Sequence, residues 1–107
     1  MTQPARKLPP VQHRAEIVQR LAKHKDEIKS FQVTRLELFG SAARDELRSR
    51  SDVDVLVEFS ILDTDNYFGL KFFLEDLLGR KIDLVRKQAI KPRMMSYVQE
   101  DLYAVAP

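Results

Sequence analysis

The 107 residues predict a small α+β domain: a two-layer arrangement of one mixed sheet with helices packed on one face. Three observations lead there. Apolar runs of strand length occur at Val33–Phe39, from Val53 to Phe59 and from Lys81 to Val85. Only a short polar excursion separates the first run from the second, so these two strands are expected to be antiparallel neighbours. A stretch of helical period separates the second from the third, and a strand–helix–strand crossover makes that pair parallel.

Taken in order, residues 1–10 are polar and proline-bearing and are expected to form a flexible N-terminus, with residues 11–107 as the single folded domain. Pro9 or Pro10 is suited to the first position of a helix. Apolar residues then recur at Val11, Ala15, Val18, Leu21, Ala22 and Ile28, so one helix is expected to run to about Ser30. His13 and His24 lie on it without a partner at ligand spacing and are expected to be solvated. In the first strand Leu36 and Leu38 share a face, and a short helix is expected from Ser41 to Leu47. Arg48-Ser-Arg-Ser forms a polar turn into the second strand, where Val53, Val55, Val57 and Phe59 face the helices. Asp63-Thr-Asp-Asn is a turn and helix cap. Tyr67, Leu70, Leu74, Leu77 and Leu78 form the apolar face of the next helix, which Gly79 ends. Phe68, Phe72 and Phe73 add aromatic bulk to it, as extra core or as a partner surface. After the third strand and a basic connector, Pro92 opens a last helix and Leu102-Tyr-Ala-Val closes the chain as a short strand.

The chemistry concentrates between the first two strands. Gly40-Ser41 follows the first strand, ten residues intervene, and Asp52-Val53-Asp54 opens the second. Gly40 permits close backbone approach or a positive φ. Ser41 and the residues after it offer free N–H groups to a phosphate. Asp52 and Asp54 are two apart on a strand, so both side chains leave one face. Two adjacent carboxylates repel, and a divalent cation offsets that cost; oxygen-only ligands favour Mg²⁺, which also accepts phosphate oxygens. Asp83 alternates with the inward-facing Ile82 and Leu84, and its strand begins at the edge where the second strand begins. Three carboxylates are therefore expected to converge there. Glu58, on the same face, lies roughly 13 Å from Asp54 and is read as structural. A G-S-x10-D-x-D pattern arises by chance in on the order of one chain in a thousand. The phosphate cradle beside carboxylates points to phosphoryl or nucleotidyl transfer; an ordinary turn before a solvated strand is the alternative.

Gly40-Ser41, Asp52 and Asp54, preceded by Leu38-Phe39, resemble the signature of the DNA polymerase β nucleotidyltransferase superfamily. The short chain resembles its minimal nucleotidyltransferase (MNT) branch, the antitoxins paired with HEPN toxins. The likeness continues through Asp52-Val-Asp-Val-Leu-Val-Glu-Phe and Leu77-Leu-Gly-Arg-Lys-Ile-Asp-Leu-Val. It implies a nucleotidyltransferase fold and AMP transfer from ATP to a tyrosine hydroxyl of a HEPN RNase encoded by a neighbouring gene. It also implies two Mg²⁺ ions on Asp52, Asp54 and Asp83, with Gly40, Ser41 and Arg44 on the triphosphate. An ordinary surface ion pair is the other reading of Arg44. One departure stands out: the family often has Gly after this Arg, whereas Asp45 stands here.

Composition sets outer bounds. Net charge is +2 with acids and bases interspersed, so no duplex-binding stripe and no direct nucleic-acid binding are expected. Cysteine is absent, which removes disulfides, thiolate metal sites and a cysteine nucleophile. No apolar run approaches a membrane span, and a cytoplasmic location is expected. Two other functions fit the motif: an antitoxin that blocks its partner by contact without turnover, and transfer to a small-molecule hydroxyl.

Overall fold

The computed structural model describes residues 7–100 and 102–106. Four strands form one sheet in the order β3-β2-β1-β4: β1 Val33–Phe39, β2 Val53–Phe59, β3 Ile82–Arg86 and β4 Tyr103–Ala106. β1 runs antiparallel to β2 and β4, while β2 and β3 are parallel. The mixed sheet is the expected one, with the C-terminal strand completing its far edge.

The parallel pair is made possible by α4, Thr64–Leu78. Asp63 caps it, its Oδ1 accepting the Asn66 N–H at 2.7 Å. Gly79 ends it in the left-handed conformation, φ 65°. Leu70, Phe73, Leu74, Leu77 and Leu78 are buried against Leu36, Leu38, Val53, Val55, Val57, Ile82 and Leu84. Phe73 belongs to this core, whereas Phe68 and Phe72 remain exposed and stack on one another with centroids 6.1 Å apart. Two side chains fasten α4 to β3. Tyr67 Oη donates to Leu84 O, and Glu75 accepts the Ile82 N–H at 3.2 Å while pairing with Lys71 at 2.7 Å. Burial works to raise the Glu75 pKa, yet these two donors hold it below the usual value.

The N-terminal helix departs from expectation in its start, its phase and its continuity. α1 spans only Arg14–Lys23, with His13 at its N-cap. Glu16 accepts the Gln12 and His13 N–H groups at 2.7 and 3.1 Å, so the turn ahead of the helix is hydrogen-bonded and Pro9 and Pro10 lie outside it. The Gln12 N–H, foremost, draws the Glu16 pKa down. Ile17 and Leu21 are the buried pair, whereas Ala15 and Ala22 are exposed. At His24 (φ −119°) the chain leaves helical geometry, and α2, Lys25–Lys29, follows with Ile28 buried. His24 is not simply solvated. Its ring meets the edge of Phe73 at 5.9 Å and its Nδ1 lies 3.1 Å from Glu27. Leu21 and Ile28, one on each side of this break, are both buried.

Part of the expected flexible segment, residues 1–6, lies outside the described residues. The Leu8 N–H donates to Asp76 O and the Val11 N–H to Leu78 O, so this stretch runs beside the end of α4. Gly79 has to be glycine at this crossing, since a Cβ would strike Leu8 O and the Pro10 backbone. Arg20 adds donors to Pro9 O at 2.6 Å and Leu77 O at 3.0 Å.

Arg80 is 7% exposed, the one charged residue buried among those described. Its guanidinium donates to Val11 O (2.6 Å), Arg48 O (2.7 Å) and Ser51 O (2.8 Å). A buried cation is tolerable here because carbonyl dipoles surround it. The bonds anchor the 48–51 turn, which delivers Asp52, to the N-terminal segment. Arg80→Met removes the donors while retaining much of the volume. It should cost about 2–4 kcal/mol, read as a lower urea midpoint, with protease sensitivity appearing at residues 48–51. An unchanged midpoint would show that the three carbonyls are satisfied without it.

Candidate functional site

β1 delivers the chain to Gly40, whose φ of 65° turns it sharply into α3, Gly40–Ala43. The expected helix to Leu47 stops four residues early. Ala42 and Ala43 bury themselves in the core, and Asp45 adopts φ 59°, which no continuing helix allows. Ser41, half-exposed, is the second residue of this short helix, and its carbonyl accepts the Glu46 N–H at 2.8 Å.

Register assembles the rest. Phe39 lies opposite Asp54 across the antiparallel pair, and Asp54 lies opposite Asp83 across the parallel one. Gly40 therefore sits directly against Asp54, where an added Cβ would collide with Asp54 Oδ2. Only glycine permits that approach. Asp52 and Asp83 are exposed at the same edge. The Asp54 carboxyl is pushed up to about 6, first by burial, then by the charges of Asp83 and Asp52 and a hydrogen bond with Asp83; Arg44 pulls the other way. The three acids expected to converge thus sense one another, with Asp54 in the middle.

As they stand, they do not form a closed ligand cage: among the described residues no three acid or imidazole side chains are grouped to hold a metal ion by themselves. The donor set is nevertheless of the right kind. It consists of oxygens only, with mutual repulsion that a dication relieves, and Mg²⁺ ordinarily takes its remaining ligands from phosphate and water.

Arg44 Nε donates to Glu46 Oε1 at 2.7 Å, while its charge also reaches Asp54. Glu58 pairs loosely with Arg35 (3.7 Å) and Lys87 (3.6 Å), away from the acidic edge. Leu56, on the aspartate face, is only 1% exposed, and the 3-10 turn Lys87–Ala89 lies near β2. The face is thus open around the acids and covered further along.

Sequence reasoning missed a latch behind α3. Asp45 Oδ1 accepts the Arg14 N–H at 2.8 Å, the first free donor of α1, and Arg14 Nη1 donates to Ala43 O at 2.7 Å. The Arg14 guanidinium also lies 4.3 Å from the centre of the Tyr103 ring. The left-handed conformation is the one glycine adopts at least cost, so Asp45 standing where the family resemblance leads one to expect glycine was the available signal. Arg80 offered none, because an Arg after a helix-ending Gly is ordinarily solvated.

A β-hairpin with a glycine turn on one side of an acidic edge, and a parallel strand bearing a third acid on the other, defines the nucleotidyl-transfer class of fold. Residues 21–104 match the nucleotidyltransferase domain family, and the chain belongs to that family and is a nucleotidyltransferase. It is 45% identical over 94 residues to MJ0128 of Methanocaldococcus jannaschii, whose protein adenylyltransferase name is provisional, covering 85% of this chain and 96% of that one. It is 37% identical over 92 residues to the protein adenylyltransferase MntA of Thermococcus cleftensis, covering 84% and 93%. Among solved structures, a provisionally named minimal nucleotidyltransferase matches with TM-score 0.66 at 31% identity, over 80% of this chain and 93% of that one. The MNT antitoxin complex with tri-AMPylated HEPN toxin of Shewanella oneidensis matches with TM-score 0.61 at 18% identity, over 86% and 71%, and shares the fold.

Two measurements test this geometry. The folded protein holds the Asp54 proton more tightly than the unfolded chain, so metal-free stability falls as pH rises from about 4 through about 6 and stays lower above. In chelator, Asp54→Asn should therefore melt higher than wild type at pH 8, and the gain should vanish near pH 4. Equal melting points at both pH values would mean that neither burial nor the neighbouring acids raise the Asp54 pKa in the folded chain. For the latch, Asp45→Ala should cost about 1–2 kcal/mol in urea unfolding. Asp45→Gly should stay within about 0.5 kcal/mol, because relief of the left-handed conformation offsets the lost cap.

Proposed function

We propose that this chain is a Mg²⁺-dependent protein adenylyltransferase that acts as an antitoxin in the cytoplasm. It transfers AMP from ATP to a tyrosine hydroxyl of a HEPN RNase partner encoded by a neighbouring gene, and so neutralises that toxin in a hetero-oligomer. The observation that carries this reading is Asp54 wedged between the Gly40 backbone and Asp83: a place for a nucleotide's tail beside a carboxylate edge. The adenylyltransferase names of the relatives support the reaction, and the likeness to the MNT–HEPN complex supports the partner.

In this reading Asp52, Asp54 and Asp83 hold two Mg²⁺ ions, and Gly40, Ser41 and Arg44 hold the triphosphate, Arg44 exchanging Glu46 for phosphate. Bound Mg²⁺ supplies neutralisation of phosphate charge and makes the acceptor hydroxyl easier to ionise. The chain's own part is positioning. Gly40 lets the backbone come close, the parallel register sets Asp83 beside Asp54, and Arg80 holds the turn that presents Asp52. A phenol, with a pKa near 10, gives up its proton more readily than an alkyl hydroxyl.

A second reading, inhibition by contact alone, draws on Asp45 standing where the family resemblance leads one to expect glycine. Transfer to a small-molecule hydroxyl is a third. Mixing the protein with the adjacent gene's product, Mg²⁺ and labelled ATP should add AMP to a partner tyrosine, found by mass spectrometry. Asp52→Asn and Asp54→Asn should lower that transfer at least about a hundredfold while the complex still forms. Full neutralisation of the partner by these variants would favour the contact mechanism, and label on a small molecule alone would favour the third reading.

A further inference from the structure

Phe39, Asp54 and Asp83 succeed one another across one face of the sheet. Gly40 and Ser41, where the proposed function seats the triphosphate, adjoin the β1 end of that row; Asp83 is the other end. Bordering Asp83 is a cavity of about 290 Å³. Phe39 and Val85 line it from the sheet, Met94 and Val98 from α5 (Pro92–Glu100), and Asp83 and Lys91 supply its charged groups. Met94 and Val98 are four apart, so they project from the same side of the helix. The cavity is thus apolar on two sides, with a carboxylate at the boundary with the acidic edge.

We propose that this cavity seats the aromatic ring of the acceptor tyrosine, its hydroxyl directed at Asp83, and thereby selects phenols over alkyl hydroxyls. The inference rests on the proposed reading and adds the acceptor's location to it. Displacement at phosphorus is in line, so the attacking oxygen enters opposite the leaving group. With the pyrophosphate at the Gly40–Ser41 end, the attacker comes from the Asp83 end, where this cavity opens. The phenolic oxygen forms a bond to the α-phosphorus as the bond from that phosphorus to the α,β-bridging oxygen breaks. Pyrophosphate leaves with that electron pair, and the phenolic proton passes to the Asp83 carboxylate and on to water. A serine or threonine hydroxyl leaves the apolar walls unfilled. The lost burial of a ring corresponds to a preference of order thirty- to a hundredfold for tyrosine.

Val98→Trp fills the cavity from a partly exposed helix position. The probes are N-acetyltyrosinamide and N-acetylserinamide, with ATP and Mg²⁺. The variant should lower kcat/KM for the tyrosine probe at least about tenfold while Mg·ATP affinity, by calorimetry, stays within about twofold. Parallel loss of nucleotide affinity would make the cavity a nucleobase seat, and unchanged transfer would leave it outside the reaction; either overturns the inference. A second measurement holds even if the small probe is not turned over. With a non-hydrolysable ATP analogue bound, nuclear Overhauser contacts should join the phenol ring of N-acetyltyrosinamide to the methyl groups of Met94 and Val98, and their absence overturns the assignment. The broader reading fails separately, if the wild type adds AMP to neither the probe nor the partner protein.

Discussion

The structure turns on how closely the backbone at Gly40 approaches the side chain of Asp54. A single methyl group at position 40 would occupy the space of Asp54 Oδ2, and the local φ of 65° excludes most side chains on its own account. Two independent constraints thus demand the same residue. The approach follows from pairing Phe39 with Asp54 at the very end of β1, so it is a property of strand register as much as of the turn. On the other side of Asp54, register again decides: the parallel pairing with β3 sets Asp83 directly across. That pairing exists because α4 is long enough to carry the chain back along the sheet and apolar enough to stay packed on it.

An edge with three acids is a place of stored repulsion, and burial of Asp54 increases it. Elsewhere in the fold, charged side chains bind backbone groups. Arg80 collects three carbonyls from two loops, Arg20 takes the carbonyls of Pro9 and Leu77, and Glu75 accepts the first N–H of β3. The Arg80 bonds and the Arg20 bond to Leu77 join segments distant in sequence, while Glu75 and Ile82 are seven residues apart. No buried side-chain nitrogen or oxygen among the described residues lacks a partner, as expected where charged groups are enclosed.

Asp45 shows how a residue other than glycine is held in the left-handed conformation. Its positive φ is the conformation that glycine takes at least cost. The carboxylate gains in exchange a hydrogen bond to the first free N–H of α1, and Arg14 answers with one to the last residue of α3. The segment bearing Gly40 and Ser41 is thereby tied to a helix that makes no other direct contribution to the acidic edge.

The three main strands and the convergence of Asp52, Asp54 and Asp83 were legible in the sequence, and for a physical reason. Alternation along a strand has a period of two, so the face of each acid followed from its apolar neighbours, and the connections settled the strand directions. α4 was equally plain, because a capping Asp and a left-handed Gly mark its ends locally. The break at His24, the inward turn of Ile17 in place of Ala15, the early end of α3 and the burial of Arg80 were not legible. Helical period alone cannot say which of two adjacent apolar stripes meets the sheet, nor that the chain leaves helical geometry at His24. The burial of a guanidinium depends on carbonyls contributed by residues 11, 48 and 51, which only the folded chain brings together. Local periodicity and turn chemistry, in short, determined the strands and the face on which the acids lie. Packing between segments far apart in sequence decided how closely glycine, acids and helices approach, since those distances depend on side chains that meet only after folding.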